Sequence, residues 1–375
     1  MTAVLLLTTA LLFACGREPE TPPLRETGYR YVGLVAPLNG PLATLGLSLR
    51  QGAESALNAA NAALAKGDRP FKLLVEDETA ATPDSRRLAA DPRVLVMVGH
   101  VMEKSLEKAL PLYMKLGRPV LLPIIADDRA VEIGEGLFYR MGASYGDQAR
   151  ILAKYALDRL AAKSAAIVRD DSKFGRDLAQ AFTQTWKADN RPGLREIVFS
   201  KATSGDGDQL ELLIKDKPEV VFLALPSGSA TEVIHYLSLA KIKTTLLGSQ
   251  ALASADIVAL LTHQPFKTFL CLPLPSDDNR EDRAAFLAEY DRNHHHPPDW
   301  LTILGYDAVR LALAVIAGGG NNPEGLRQYL DQLSGPDHSF HGLAGDYWFR
   351  AKGQGQTPLY VVQVTLSLLD RVPSL

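Results

Sequence analysis

The stretch YVGLVAPLNGPLATLGLSLRQGAESALNAANAAL, residues 31–64, decides the fold. Its opening, Tyr31-Val32-Gly33-Leu34-Val35, is near-continuously apolar, without the alternation of a half-exposed strand, and predicts a strand buried on both faces. Leu49, Ala53, Ala56, Leu57, Ala60 and Leu64 then recur at helical spacing and give one apolar stripe. A buried strand followed by an amphipathic helix is the repeating unit of a parallel α/β sheet.

The alternation continues outward from this unit. Strands are predicted over 71–75, 94–99 and 119–122, and a helix between the last two carries the stripe Leu106, Ala109, Leu110 and Tyr113. A second series begins after Phe138-Tyr139-Arg140. Leu152, Tyr155, Ala156 and Leu160 mark a helix, 165–168 a strand, and Phe174, Leu178 and Phe182 the next helix, before strands over 196–200, 220–225 and 244–247. Each series predicts a Rossmann-like lobe with a parallel sheet covered on both faces. Beyond Cys271-Leu272-Pro273-Leu274-Pro275, helices are predicted near 280–292, 301–317 and 323–333, then strands near 345–349 and 359–364. Three helices in succession do not extend a βαβ series, so they are expected to return and cover an earlier lobe.

The 375 residues are 46% hydrophobic with a formal net charge of −3, which suits two domains of ~150 residues each and gives no charge bias toward nucleic acid. At the N-terminus, residues 4–14 are almost unbroken apolar and lead through Leu12-Phe13-Ala14 into Cys15-Gly16. That pattern predicts a cleaved export signal over 1–14 and a lipid on Cys15, although Met1-Thr2-Ala3 lacks the usual basic start. The apolar run is well short of the ~20 residues of a spanning helix, and no later stretch is expected to reach that length. Residues 15–27, rich in Pro, Glu and Thr, are expected to tether lipid to domain. A lipid on Cys15 would leave Cys271 unpaired and buried in a strand; a Cys15–Cys271 disulfide in a non-lipidated chain is the competing reading.

No catalytic constellation can be assembled: a nucleophile elbow, a Walker loop, a Gly-rich dinucleotide turn and HExxH are all absent. Pro37 and Pro41 remove backbone donors from the turn after the first strand, which argues against a phosphate cradle. His294-His295-His296 beside Pro297-Pro298 could bind a metal but equally reads as a solvated loop, and no metal or cofactor is expected. Asp127-Asp128 and Asp277-Asp278 read as turn and cap residues rather than a calcium site. Asp170-Asp171-Ser172-Lys173-Phe174-Gly175 ends a strand and opens a helix, at the carboxyl edge of the sheet where ligands of such folds bind.

Several motifs, in this order, give the chain a family likeness: Val32 through Pro41 with Gly46 and Gln51-Gly52-Ala53-Glu54; Glu76-Asp77 with Pro83; Val98-Gly99-His100; Arg140 with Gln148; Asp170-Asp171 with Phe174-Gly175; Gly248; Gly305-Tyr306-Asp307-Ala308; and Pro358 through Val364. On these residues the chain resembles the type I periplasmic binding proteins of the leucine/isoleucine/valine-binding kind, the receptors of ABC importers. The resemblance implies two lobes joined by three crossings, near 141–144, 272–275 and 338–345, with a small-molecule ligand in the cleft and a permease complex as partner. It implies lobe 1 from 28–143 plus 276–340 and lobe 2 from 144–275 plus 341–375. Closure follows when the ligand makes more contacts in the closed form than in the open one.

The implied ligand-binding residues are Leu45, Gly99, His100, Glu103, Pro123, Ala126, Tyr145, Phe174, Pro226, Ser227 and Gln250. Amino-acid-binding members hold the carboxylate with hydroxyls and backbone N–H groups and the ammonium with an acid. Here Glu103 and Lys104 replace serines, Ala126 a threonine, Gln250 the acid, Phe174 a common tyrosine and Leu45 an aromatic ring. A buried ammonium without a partner is strongly unfavourable, so the expected ligand is less charged and more apolar than a zwitterion. The leading expectation is a non-enzymatic, extracytoplasmic, membrane-anchored substrate-binding lipoprotein, with inner or outer membrane left open. A sensor or scaffold lipoprotein of the same fold, binding a protein partner, is the alternative; a two-lobed enzyme is the third.

Overall fold

Val32, Leu34 and Val35 are almost completely withdrawn from water, as a strand covered on both faces requires. A computed structural model describes residues 28–80, 87–200, 206–273, 281–350, 353–365 and 368–371. The signal, the Cys15 tether and Asp277-Asp278 lie outside the described residues.

In the first lobe β1 (Arg30–Ala36), α1 (Ala43–Ala62), β2 (Phe71–Asp77), α2 (Arg87–Ala90), β3 (Val94–Val98), α3 (Glu103–Leu116), β4 (Val120–Leu122), α4 (Asp128–Ile133) and β5 (Phe138–Arg140) follow one another. β2, β1, β3, β4 and β5 pair in parallel, in that spatial order. The chain then leaves this sheet. Ser144 and Asp147 form a reciprocal cap, each side chain accepting the other's backbone N–H at 3.0 Å, which starts α5 (Tyr145–Asp158) at the first crossing.

The second lobe continues with β6 (Ala165–Arg169), α6 (Lys173–Ala188), β7 (Leu194–Val198), α7 (Asp206–Asp216), β8 (Val220–Ala224), α8 (Ser227–Leu239), β9 (Thr245–Ser249), α9 (Ala255–Thr262) and β10 (Lys267–Leu272). β7, β6, β8, β9 and β10 are parallel neighbours. Cys271 is wholly buried in β10, where burial pushes its thiol up, and it has no disulfide partner among the described residues.

α10 (Glu281–His294), α11 (Trp300–Gly319) and α12 (Pro323–Gln332) return to the first lobe. Leu49, Ala53 and Ala56 of α1 share one core with Ile303, Leu304, Ala308 and Leu311 of α11. The two helices approach closely at Gly52, where a Cβ would sit 1.9 Å from the carbonyl oxygen of Thr302. Contrary to expectation, α11 is a later stretch that does reach membrane-spanning length and apolarity. With 72% of its most apolar window buried against α1 and the first sheet, it is the lobe's core helix.

The third crossing also differs from the expected position. β11 (Phe340–His341), β12 (Asp346–Arg350) and β13 (Gln354–Gln356) extend the first sheet, β13 pairing beside β5 through Gln354 and Arg140. Residues 341–350 and 353–356 therefore belong with lobe 1, and the chain crosses over 357–359 into β14 (Tyr360–Thr365), which runs antiparallel to β10 and is followed by β15 (Leu368–Arg371). The physical cause is burial: Tyr347 and Phe349 insert into the first core, and the Phe349 ring meets Tyr139 edge-on at 5.2 Å. Gln354-Gly355-Gln356 is too polar to announce a strand by itself.

Candidate ligand-binding cleft

The carboxyl ends of the parallel strands in both lobes open onto a cleft of about 510 Å³, within the range of small-molecule sites. Its first wall carries Leu42 and Leu45 from the turn after β1, Val101 and Glu103 after β3, Ile124 after β4, and Trp300 at the start of α11. The opposite wall carries Tyr145, Phe174, Pro226, Ser227, Gln250 and Ile257. Thr44, Thr231, Ser254 and Asp256 add polar groups.

Each wall is held by local chemistry. The Asp77 carboxylate accepts from Leu38 N at 2.9 Å, the Asn39 amide at 2.7 Å and the Thr79 hydroxyl at 2.7 Å, fixing the turn that carries Leu42 and Leu45. Desolvation is the largest single influence and works upward on this carboxyl, yet the hydrogen bonds from Leu38, Asn39 and Thr79 together outweigh it and hold it at about 2. Ser172 caps α6 through Gly175 N at 3.0 Å and so presents Phe174, whose ring meets Tyr145 edge-on at 4.7 Å. Asp299 caps α11 by accepting from Thr302 N at 2.7 Å and also accepts the Ser48 hydroxyl at 2.7 Å, which sets Trp300 at the cleft.

Leu45, Glu103, Tyr145, Phe174, Pro226, Ser227 and Gln250 are thus brought together on the cleft, whereas Gly99, His100, Pro123 and Ala126 do not line it. Gly99 has φ +108°, and a Cβ there would sit 2.0 Å from Val35 O, so the chain passes β1 too closely for any side chain. His100 is 1% exposed, its imidazole within 3.2 Å of Glu78, 2.9 Å of Ser105 and 2.8 Å of Tyr113. Glu78 in turn accepts from Val101 N and Met102 N, so this buried cluster shapes the loop after β3 from behind. Pro123 is buried, and Ala126 lines a separate recess of about 190 Å³ beside Asp127 and Arg150. Sequence reading missed Trp300; its only signal was an aromatic residue at a helix start, just after Pro297-Pro298-Asp299.

Among the described residues, side-chain bonds join the two lobes beside the cleft. Gln250 Nε2 donates to Ile124 O at 3.0 Å, Trp300 Nε1 to Ala253 O at 3.2 Å, and Lys173 Nζ to Asp127 Oδ1 at 3.3 Å. Lys173 also pairs with Asp177. Burial raises the Glu103 carboxyl, Asp127 and Glu107 add to the effect, and Lys173 and Arg129 oppose it.

Two α/β lobes with three crossings and a cleft between them define a two-lobed ligand-binding protein. Residues 31–367 match the family described as periplasmic binding protein, and the chain belongs to that family. Its proteins bind ligands for transport outside the cytoplasm and are not enzymes. The Leu/Ile/Val-binding protein homolog 3 of Brucella melitensis is 25% identical over 301 residues, 78% of this chain and 80% of that protein. A leucine-binding protein from Thermotoga maritima shares the fold with a TM-score of 0.79 at 15% identity, covering 92% of this chain and 97% of that one. A solute-binding protein from R. palustris in complex with benzoate gives 0.75 at 19% identity, covering 92% and 95%.

Proposed function

We propose that this protein is the substrate-binding lipoprotein of an ABC importer, tethered through Cys15, which closes on a small ligand less charged and more apolar than a free amino acid. The observation that carries the reading is the composition of the walls. Leu42, Leu45, Val101, Ile124, Phe174, Pro226 and Trp300 present mostly apolar surface, and Gln250, aligned with the family's ammonium-binding acid, spends its amide on Ile124. A site of this kind gains affinity from apolar area and a few placed polar groups. The benzoate complex of a protein with the same fold means only that the fold is not confined to zwitterions. Native mass spectrometry of protein purified without refolding tests it: a retained small apolar guest is expected, and a retained free amino acid would overturn it. Acyl labelling of the precursor, abolished by C15A, tests the tether.

The cross-lobe bonds of Gln250 and Trp300 favour a second reading, a sensor or scaffold lipoprotein, because they link the lobes through the protein's own groups. Lobes that keep one separation in solution scattering whatever is added would favour it over the receptor.

A further inference from the structure

We infer that the ligand of this cleft is a small apolar amine, with one positive charge and no carboxylate, whose ammonium group is held by Glu103; this rests on the receptor reading above. Among the described residues no lysine, arginine or histidine lines the cleft, while two carboxylates do, Glu103 and Asp256, one on each wall. Neither makes a hydrogen bond or ion pair among the described residues. Lys173, which opposes the raised Glu103 carboxyl more strongly than Arg129 does, is already engaged by Asp127 and Asp177.

A ligand carboxylate would meet like charge. At α3 and α9 the charges of Glu103 and Asp256 already answer the helix dipoles, whereas α8 opens at Ser227 with no acid in its first turn and is the competing anion position that the carboxylate probes test. An ammonium group meets opposite charge at both places, and the aromatic residues Phe174 and Trp300 line the same cleft. Partial burial raises the Glu103 carboxyl, whose residue still reaches water. The family's usual partner for an ammonium is in the second lobe, at the position of Gln250; here the carboxylates stand elsewhere, Glu103 on the first wall and Asp256 on the second.

The test uses full-length protein in detergent and probes on two carbon skeletons: phenethylamine and isopentylamine, the carboxylates hydrocinnamate and isocaproate, the zwitterions phenylalanine and leucine, and neutral hydrocinnamamide. Tryptophan fluorescence and calorimetry read binding. At least one amine should bind about tenfold or more tightly than its carboxylate and zwitterion counterparts, the scale of one charge-assisted hydrogen bond. E103Q should remove most of that advantage and leave hydrocinnamamide unchanged, while D256N has the smaller effect. A carboxylate or zwitterion that binds as tightly as the amine, or amine binding unaffected by E103Q, overturns the inference and leaves the receptor intact. If no probe binds, the guest in the native mass spectrum decides: an amine supports the inference, a guest without one overturns it, and an empty protein removes the receptor reading as well.

Discussion

The side-chain amide of Gln250, in the second lobe, donates to the carbonyl oxygen of Ile124, in the first, across 3.0 Å. Gln250 is itself held from behind, because its backbone N–H donates to Gln148 Oε1 at 2.9 Å. The amide therefore links a fixed point on one wall to the backbone of the other. A hydrogen bond made only when the lobes are together biases the open–closed equilibrium by its net free energy, about 0.5–1.5 kcal/mol for a neutral pair. Q250A should widen the ligand-free protein in solution scattering and weaken ligand binding roughly two- to tenfold. An unchanged scattering profile would show that this bond does not contribute to closure.

Trp300 is the second link, and it separates two roles within one side chain. Its ring packs against the cores of both lobes, and its Nε1–H donates to Ala253 O at 3.2 Å. W300F keeps most of the ring and loses the donor. Melting temperature should stay within a few degrees, with closure weakened to about the extent of Q250A. W300A should in addition lower stability by roughly 3 kcal/mol, as loss of a large packed aromatic does. Equal melting temperatures for the two variants would assign Trp300 no packing role.

The parallel strands were legible because each is a short apolar run bounded by polar or glycine-containing turns, and the amphipathic stripes supplied the helices between them. What escaped was set by contacts distant in sequence. His100 looked like a cleft residue from its place after β3, and only the fold brings Glu78, Ser105 and Tyr113 around its ring. Trp300 reaches the cleft from a helix that follows the second crossing, so no local pattern connects it with Phe174 or Gln250. The third crossing was misjudged because β13 carries no apolar signal and is recruited by pairing beside β5.

Phe174 lines the cleft and touches Tyr145 edge-on, with ring centroids 4.7 Å apart. It is only partly buried, packing against a core of the second lobe while lining the cleft. F174A should weaken binding of the native ligand by roughly 1–3 kcal/mol through lost aromatic contact. Unchanged affinity with a large fall in melting temperature would assign the ring to packing instead.

Asp77 braces the turn that leads into the cleft. Its carboxylate fixes the turn leading to Leu42 and Leu45 and is held at about 2, so its contribution is present above the ordinary carboxylate range and is lost only as pH falls through about 2. D77A should therefore loosen the turn at neutral pH, with several-fold weaker binding and little change in melting temperature. Faster amide exchange at Leu38 and Thr79, whose N–H groups it accepts, is the accompanying sign. Protection equal to the wild type would mean that the turn is held by other contacts.

Asp307 gives the pH dependence its opposite sign. Wholly buried in α11, its carboxylate accepts from Leu343 N at 2.6 Å, Ala344 N at 2.8 Å and the Tyr347 hydroxyl at 2.9 Å, tying the segment before β12 to the first core. Desolvation outweighs those bonds and pushes the carboxyl up to about 6. The Tyr347 hydroxyl can turn from donor to acceptor, which accommodates the proton. Between the unfolded value near 3.9 and about 6, the folded protein binds this proton and the unfolded chain does not. Its contribution is then fully present below the unfolded value and is lost as pH rises through about 6, on the order of 3 kcal/mol in all. D307N cannot titrate, and its amide N–H₂ opposes a backbone donor, so it should be less stable than the wild type at the acidic end. Urea unfolding of both proteins across this window should show the gap narrowing by about that amount as pH rises. A gap that is constant or widens would mean that the three donors keep Asp307 charged down to the ordinary carboxylate range.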